Sequence, residues 1–221
     1  MHDPYRPTTF DHIVGQPTDQ IAALLDGPAT PNFLFHGPPG TGKTTTAHVI
    51  ARRLHDGDPE LLVLNASDDR GIDTVRETVI PATRTGTLTG APRVILLDEM
   101  EAMTKDAQQA LRAPMENGHA VFVLTGNDDS AIHSALRSRC QVFEFDRVDD
   151  AAVRTRIEQV LDAHDGTLSD DEVADVVRAA CGDVRQAMQL VDRRTAAGTD
   201  DGSDPLTDER VTKVQQFLSG N

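Results

Sequence analysis

Residues 37–44 read Gly-Pro-Pro-Gly-Thr-Gly-Lys-Thr. The octet fits G-x-x-x-x-G-K-[ST], a loop whose backbone amides cradle phosphate oxygens at a helix N-terminus. Gly37, Gly40 and Gly42 let the main chain approach an anion without a Cβ in the way. Lys43 is placed to reach β- and γ-phosphates, and Thr44 to ligate Mg²⁺. Pro38, Pro39, Thr41 and Thr45 complete the cradle around a bound ATP. The chain has only three lysines, Lys43, Lys105 and Lys213, among 21 basic residues. That one of them stands here fits the need for a compact ammonium between phosphates. A second constellation follows at 94–99, Val-Ile-Leu-Leu-Asp-Glu. An apolar run ending in two carboxylates gives Asp98 as a second group for Mg²⁺ and Glu99 as a general base that polarises the attacking water. Thr125-Gly126-Asn127 ends another apolar run, and a polar side chain there can reach the γ-phosphate or its water.

These residues need a parallel sheet to position them. Five short apolar runs, Phe33–Phe35, Leu61–Leu64, Val94–Leu97, Val121–Leu124 and Val142–Phe145, read as buried strands. Helical patterns around 43–54, 72–84, 105–117 and 130–137 separate them. The alternation predicts an α/β fold with a doubly covered parallel sheet. The distance from Lys43 to Asp98 leaves room for a whole β–α unit, and a strand is expected between the P-loop strand and the carboxylate strand. After Phe145 the strand signal stops. Helices are expected from 149 or 150 to about 163, from a Ser169-to-Glu172 capping box to about 180, and from about 183 to 195. A polar linker at 198–205 and an amphipathic helix at about 207–218 follow. The expected division is an α/β unit over 1–146 and an all-helical unit over 147–221.

Composition sets wider bounds. The net charge is −15 and the acids are scattered along the chain. This reads as a carboxylate-rich surface suited to a high-salt (halophile) cytoplasm rather than as one acidic docking face. In molar salt the Debye length is about 3 Å, so global charge neither supports nor excludes DNA as a partner. Two cysteines, Cys140 and Cys181, make neither a disulfide framework nor a metal set. No apolar run reaches membrane-spanning length and the first residues do not read as a signal peptide. A cytoplasmic protein without a membrane partner is expected.

Further segments carry a family resemblance. Tyr5-Arg6-Pro7, Val14-Gly15-Gln16, Leu64-Asn65-Ala66-Ser67-Asp68-Asp69-Arg70-Gly71-Ile72, Asp106-Ala107-Gln108-Gln109-Ala110-Leu111-Arg112, Ser138-Arg139-Cys140 and Gly182-Asp183-Val184-Arg185 occur in order with the two ATP motifs. Together they resemble the small subunit of replication factor C, the sliding-clamp loader of archaea and eukaryotes and an AAA+ ATPase. The resemblance implies a P-loop AAA+ domain followed by a helical lid, ATP hydrolysis with Mg²⁺, and action in DNA replication. It implies a sliding clamp, primed DNA and related subunits as partners, in a homo- or hetero-oligomer. By the same resemblance Tyr5, Arg6 and Val14 line the adenine pocket, and Asn127 is the first sensor. Arg185 is the sensor arginine of the lid, and Arg139 is a finger acting on a neighbouring subunit's ATP. Arg70, Arg76, Arg84 and Arg112 are expected to meet the DNA backbone, positioning a duplex without reading its sequence. The helix from Lys105 is expected near a subunit or clamp contact.

Three departures qualify that picture. The family continues into an oligomerising collar domain, whereas the sequence reaches Asn221 near where the collar would start. Asp98-Glu99-Met100-Glu101 stands where Asp-Glu-Ala-Asp is usual, with the first two carboxylates kept. Ala113-Pro114 interrupts a Leu-Arg-Arg-x-Met-Glu pattern; a proline inside a helix costs about 3 kcal/mol, so a kink or an end is expected there. A nucleotide-binding accessory subunit with weak or no hydrolysis is the second reading. A different AAA+ remodeller, such as a Holliday-junction motor, is a third, and the Asn-Ala-Ser-Asp and Ser-Arg-Cys elements argue against it.

Overall fold

Runs of apolar residues without polar alternation mark strands covered on both faces. The computed structural model describes residues 5–55, 59–87 and 90–198. Within them the runs become β1 (Asn32–His36), β2 (Leu61–Asn65), β3 (Arg93–Asp98), β4 (Ala120–Gly126) and β5 (Cys140–Glu144). They form one parallel sheet in the order β2-β3-β4-β1-β5. The strand between the P-loop strand and the carboxylate strand is β4.

Successive side chains on a strand point to opposite faces, and the core divides accordingly. Phe33, Phe35, Val94, Leu96, Val121 and Val123 pack with α1 (Thr18–Leu25) and α2 (Lys43–Leu54). Leu34, Ile95, Leu97, Phe122 and Leu124 pack on the other face with helical residues such as Val75, Val79, Ala107 and Leu111. The large apolar side chains left exposed, Val63 and Val142, lie on the two edge strands.

The helices of that second face are broken where the sequence suggested continuity. Over 72–84, here α3, a π-helical stretch, Val75–Val79, lies between Ile72–Thr74 and Ile80–Arg84. Pro81 has no N–H to bond the carbonyl four residues back, and a widened turn before it relieves the clash. The expected helix over 105–117 is two pieces, α4 (Lys105–Ala110) and α5 (Arg112–Asn117), joined at Leu111. Pro114 is the cause: its ring sits in the first turn of α5, where no N–H is required. The expected helix over 130–137 is also split. A 3₁₀ turn, Asp129–Ala131, ends at extended Ile132, and His133 then caps α6 (Ser134–Arg137).

Beyond β5, α7 (Asp150–Ala163), α8 (Asp170–Ala180) and α9 (Val184–Gly198) surround their own core of Val153, Ile157, Val160, Val176, Ala187 and Val191. The capping box forms: Ser169 Oγ accepts from the Glu172 amide, and the Glu172 carboxylate accepts from the Ser169 amide. The Ser169 hydroxyl also holds the Glu172 carboxyl below its ordinary pKa. Cys181 and Gly182, both at positive φ, end α8 and turn the chain directly into α9. The fold is thus a P-loop α/β sheet followed by a small helical unit. No helix among the described residues is long and apolar enough to cross a membrane. The helix expected at 207–218 lies outside the described residues.

Candidate functional site

The site lies at the C-terminal ends of β1, β3 and β4, where ligands of open α/β sheets bind. β1 runs into the P-loop, and Gly42, at φ 102°, turns the loop into α2. Two loop glycines face close neighbours. A Cβ on Gly37 would lie 2.1 Å from the Phe145 carbonyl oxygen, and one on Gly40 would lie 1.9 Å from Asp183 Oδ1. The Thr41 hydroxyl donates to the Pro38 carbonyl at 2.9 Å, closing the loop on itself. Lys43 Nζ donates to the Gly37 and Pro38 carbonyls at 2.6 and 2.7 Å. Burial pushes its pKa down, against the attraction of Asp98 and Glu101 and with the repulsion of Arg185.

Residues 54 positions apart meet at the end of the loop: Thr44 Oγ1 donates to Asp98 Oδ2 at 2.9 Å. A hydroxyl and a carboxylate are the hard oxygen donors that Mg²⁺ takes beside substrate phosphates. Thr44 and Asp98 therefore fit that ion, and the loop whose Gly37, Gly40 and Gly42 stand at positive φ before the N-terminus of α2 fits the phosphates. The sequence reading did not single out Thr125, whose hydroxyl donates to Asp98 Oδ1 and orients the carboxylate. Its position, one residue before Gly126 on the neighbouring strand, was the available signal.

Glu99 sits at φ 58° with its amide donating to Asp98 Oδ1 at 3.1 Å. A left-handed non-glycine residue is strained, and such strain gathers at functional sites. The Ser67 hydroxyl donates to Glu99 Oε2, so the candidate base is held by the Asn-Ala-Ser-Asp segment. Asn127, exposed after β4, donates from Nδ2 to Glu101 Oε1 at 2.7 Å and from its amide at 3.2 Å.

The expected adenine-pocket residues come from a segment bridging α2 and the helical unit. The Tyr5 hydroxyl donates to Asp192 of α9, and its carbonyl accepts from Arg156 of α7. Arg6 Nη1 lies 3.2 Å from His48 Nε2 on α2. His48 is pushed down by burial, then by Arg6 and Arg52. Val14 is half-buried against the helical core, and a Cβ on Gly42 would lie 3.8 Å from Cγ2 of neighbouring Ile13. Thr45 is half-buried in the first turn of α2.

The start of α9 is docked on the P-loop. The Val184 amide donates to the Gly40 carbonyl at 3.0 Å, and Asp183 caps α9 by accepting from the Gln186 amide at 2.9 Å. Arg147 pairs with Asp183 at 3.4 Å. Arg185, exposed one residue further on, is thereby close enough for its charge to depress Lys43. Arg139 is apart from these groups. It follows α6 and binds Glu116 of α5, with Nε donating at 2.7 Å, and also donates to the Ala135 carbonyl. Arg76, Arg84 and Arg112 are exposed on α3 and α5, and Arg70 is exposed in the loop before α3. All four belong to the segments packed on the Leu34–Ile95–Phe122 face.

A family model described as the ATPase family associated with various cellular activities (AAA) matches residues 33–148. The replication factor C small subunit of Archaeoglobus fulgidus is 36% identical, over 98% of this chain and 73% of that one. That of Haloarcula marismortui is 39% identical, over 98% and 71%. The chain belongs to the replication factor C small-subunit family of AAA ATPases. The Halobacterium salinarum member is 38% identical over 95% of this chain and 66% of its own length, so the chain spans about two thirds of the curated relatives it matches. Among solved structures, the Holliday junction branch migration motor RuvB of Thermotoga maritima superposes with a TM-score of 0.72. That match covers 86% of this chain and 65% of RuvB at 23% identity, which speaks for the shared AAA fold alone.

Proposed function

We propose that the chain is the ATPase part of a sliding-clamp-loader subunit acting in DNA replication. It uses ATP binding and hydrolysis to open a clamp and load it on primed DNA, together with related subunits. The similarity to replication factor C small subunits supports the clamp-loading role, and the observation that carries the ATPase is the 2.9 Å contact between Thr44 and Asp98 beside Lys43. It joins the two ATP motifs into one donor set for a Mg²⁺-nucleotide. Thr44 and Asp98 would hold Mg²⁺, which when bound neutralises charge on the β- and γ-phosphates. Lys43 leaves the Gly37 and Pro38 carbonyls for the phosphates, and the loop amides orient them. Glu99 takes the proton of the attacking water once it leaves Ser67. Asn127 fixes the water or the terminal phosphate, and Arg185 brings the lid onto the nucleotide. Arg139 stabilises developing phosphate charge on an adjacent subunit. Tyr5, Arg6 and Val14 hold the base. Arg70, Arg76, Arg84 and Arg112 bind the DNA backbone. We divide the chain into the nucleotide-binding unit at 1–146 and the lid at 147–221. A cytoplasmic location goes with this role.

The second reading is a nucleotide-binding accessory subunit. The hold of Ser67 on Glu99 favours it, because a base so engaged does not activate water. ATP hydrolysis in molar potassium chloride separates the two, measured alone and then with primed DNA, clamp and related subunits. Stimulated turnover that Glu99→Gln abolishes while ATP still binds supports the motor. Tight ATP binding without turnover in any mixture supports the accessory subunit.

A further inference from the structure

Glu101 stands in the 3₁₀ turn Met100–Ala102 just after Asp98 and Glu99, and no role above uses it. Its Oε1 is shared by the backbone amide and the side-chain Nδ2 of Asn127. Its Oε2 is buried without a hydrogen-bond partner. A carboxylate accepts and never donates, so it is the Nδ2 end of the Asn127 amide that must face it. The opposite flip would set Asn127 Oδ1 against a carboxylate oxygen. One N–H of Nδ2 is thereby used, and the second N–H and Oδ1 keep one orientation for a ligand.

The geometry is made for this contact. Gly126 precedes Asn127, and a Cβ there would lie 2.8 Å from Glu101 Oε2. The end of β4 is therefore bare where the carboxylate lies. A buried carboxylate oxygen without a hydrogen-bond partner gives up its hydration at a cost, and a role at the site accounts for that cost where packing does not. The Glu101 charge also acts on Lys43, which places it within electrostatic reach of the phosphate cradle.

We propose that Glu101 is a positioning residue that sets the side-chain amide of Asn127 so that its remaining N–H meets the terminal phosphate of the bound nucleotide. The inference rests on Asn127 facing that phosphate, as in the function proposed above.

The test uses the full chain and four variants: Glu101→Ala, Glu101→Gln, Asn127→Ala and the Glu101→Ala/Asn127→Ala double. ATPγS and ADP affinities are measured with Mg²⁺ by displacement of a fluorescent nucleotide. Losing the orienting contact should lower the preference for ATPγS over ADP about tenfold in Glu101→Ala, the size of one charge-assisted hydrogen bond. ADP affinity should stay within about twofold. Asn127→Ala should lose as much, and the double variant no more than either. Glu101→Gln keeps an acceptor at the same reach and should recover most of the preference. Losses that multiply in the double variant, or an equal fall in ADP affinity, would overturn the proposal. A parent protein with no preference for ATPγS would instead refute Asn127 as a phosphate sensor. Positioning is then decided by the Asn127 side-chain amide resonances in an NMR spectrum. Their collapse toward free-amide positions in Glu101→Ala supports it, and unchanged resonances refute it.

Discussion

Gly40→Ala tests the contact between the P-loop and the helical unit. Gly40 lies at φ 77°, and its Cβ would fall 1.9, 2.2 and 2.4 Å from Oδ1, Cγ and Oδ2 of Asp183. Left-handed backbone costs an alanine roughly 1–2 kcal/mol. Overpacking against a fixed neighbour costs about 1–3 kcal/mol more, so the variant should lose about 2–5 kcal/mol. Asp183→Ala alone removes the cap on the Gln186 amide, at about 1 kcal/mol. It also removes a half-exposed pair with Arg147, worth roughly 0–1 kcal/mol. In the double variant the clash is gone, and backbone strain, the lost cap and the lost Arg147 pair remain. The two changes should therefore couple favourably by about 1–3 kcal/mol in urea titrations. Nucleotide affinity should follow the same pattern. The methyl added at position 40 points at Asp183, so the double variant should regain ATP binding along with stability. Additivity within about 0.5 kcal/mol would show that Asp183 does not sit on Gly40 in solution, and the placement of Arg185 would fall with it.

His48 is held below its ordinary value of 6.5, so the unfolded chain takes up the proton first. Its contribution to stability is present above about pH 6.5 and is lost as pH falls through the lower folded value. The stability difference between the parent and His48→Gln should therefore shrink between pH 7.5 and 5.5, and a difference that grows would refute the burial beside Arg6. Burial pushes the Cys140 thiol up to about 12, whereas Cys181 is exposed. Iodoacetamide at pH 8 should label Cys181 and spare Cys140 in the folded protein, as mass spectrometry of the digested protein would show. Arg139→Ala should lower turnover about a thousandfold or more in an assembly and leave an isolated subunit unchanged; equal loss in both would end its role in trans.

Much of the site was legible because its rules are local. The P-loop needs glycines at positive φ followed by a helix, and residues 37–54 state both within one stretch of chain. Buried strands announce themselves by unbroken apolar runs, and the capping box at Ser169 closes within four residues. Boundaries were read less well over 105–117 and 130–137, where Pro114 and the extended Ile132 break helical patterns that periodicity alone joins.

What the sequence by itself determined was the phosphate loop, the paired carboxylates and the alternation that demands a parallel sheet. The tertiary structure alone decided which side chains meet across it. Thr125 orients the Asp98 carboxylate, Glu101 takes Asn127, and Asp183 lies on Gly40. The reason is physical. Propensity, capping and turn chemistry act between neighbours in sequence, whereas these contacts depend on the strand order β2-β3-β4-β1-β5 and on where α9 docks. Burial of two apolar faces sets those; the Lys43–Asp98 spacing records the inserted strand and nothing of the rest.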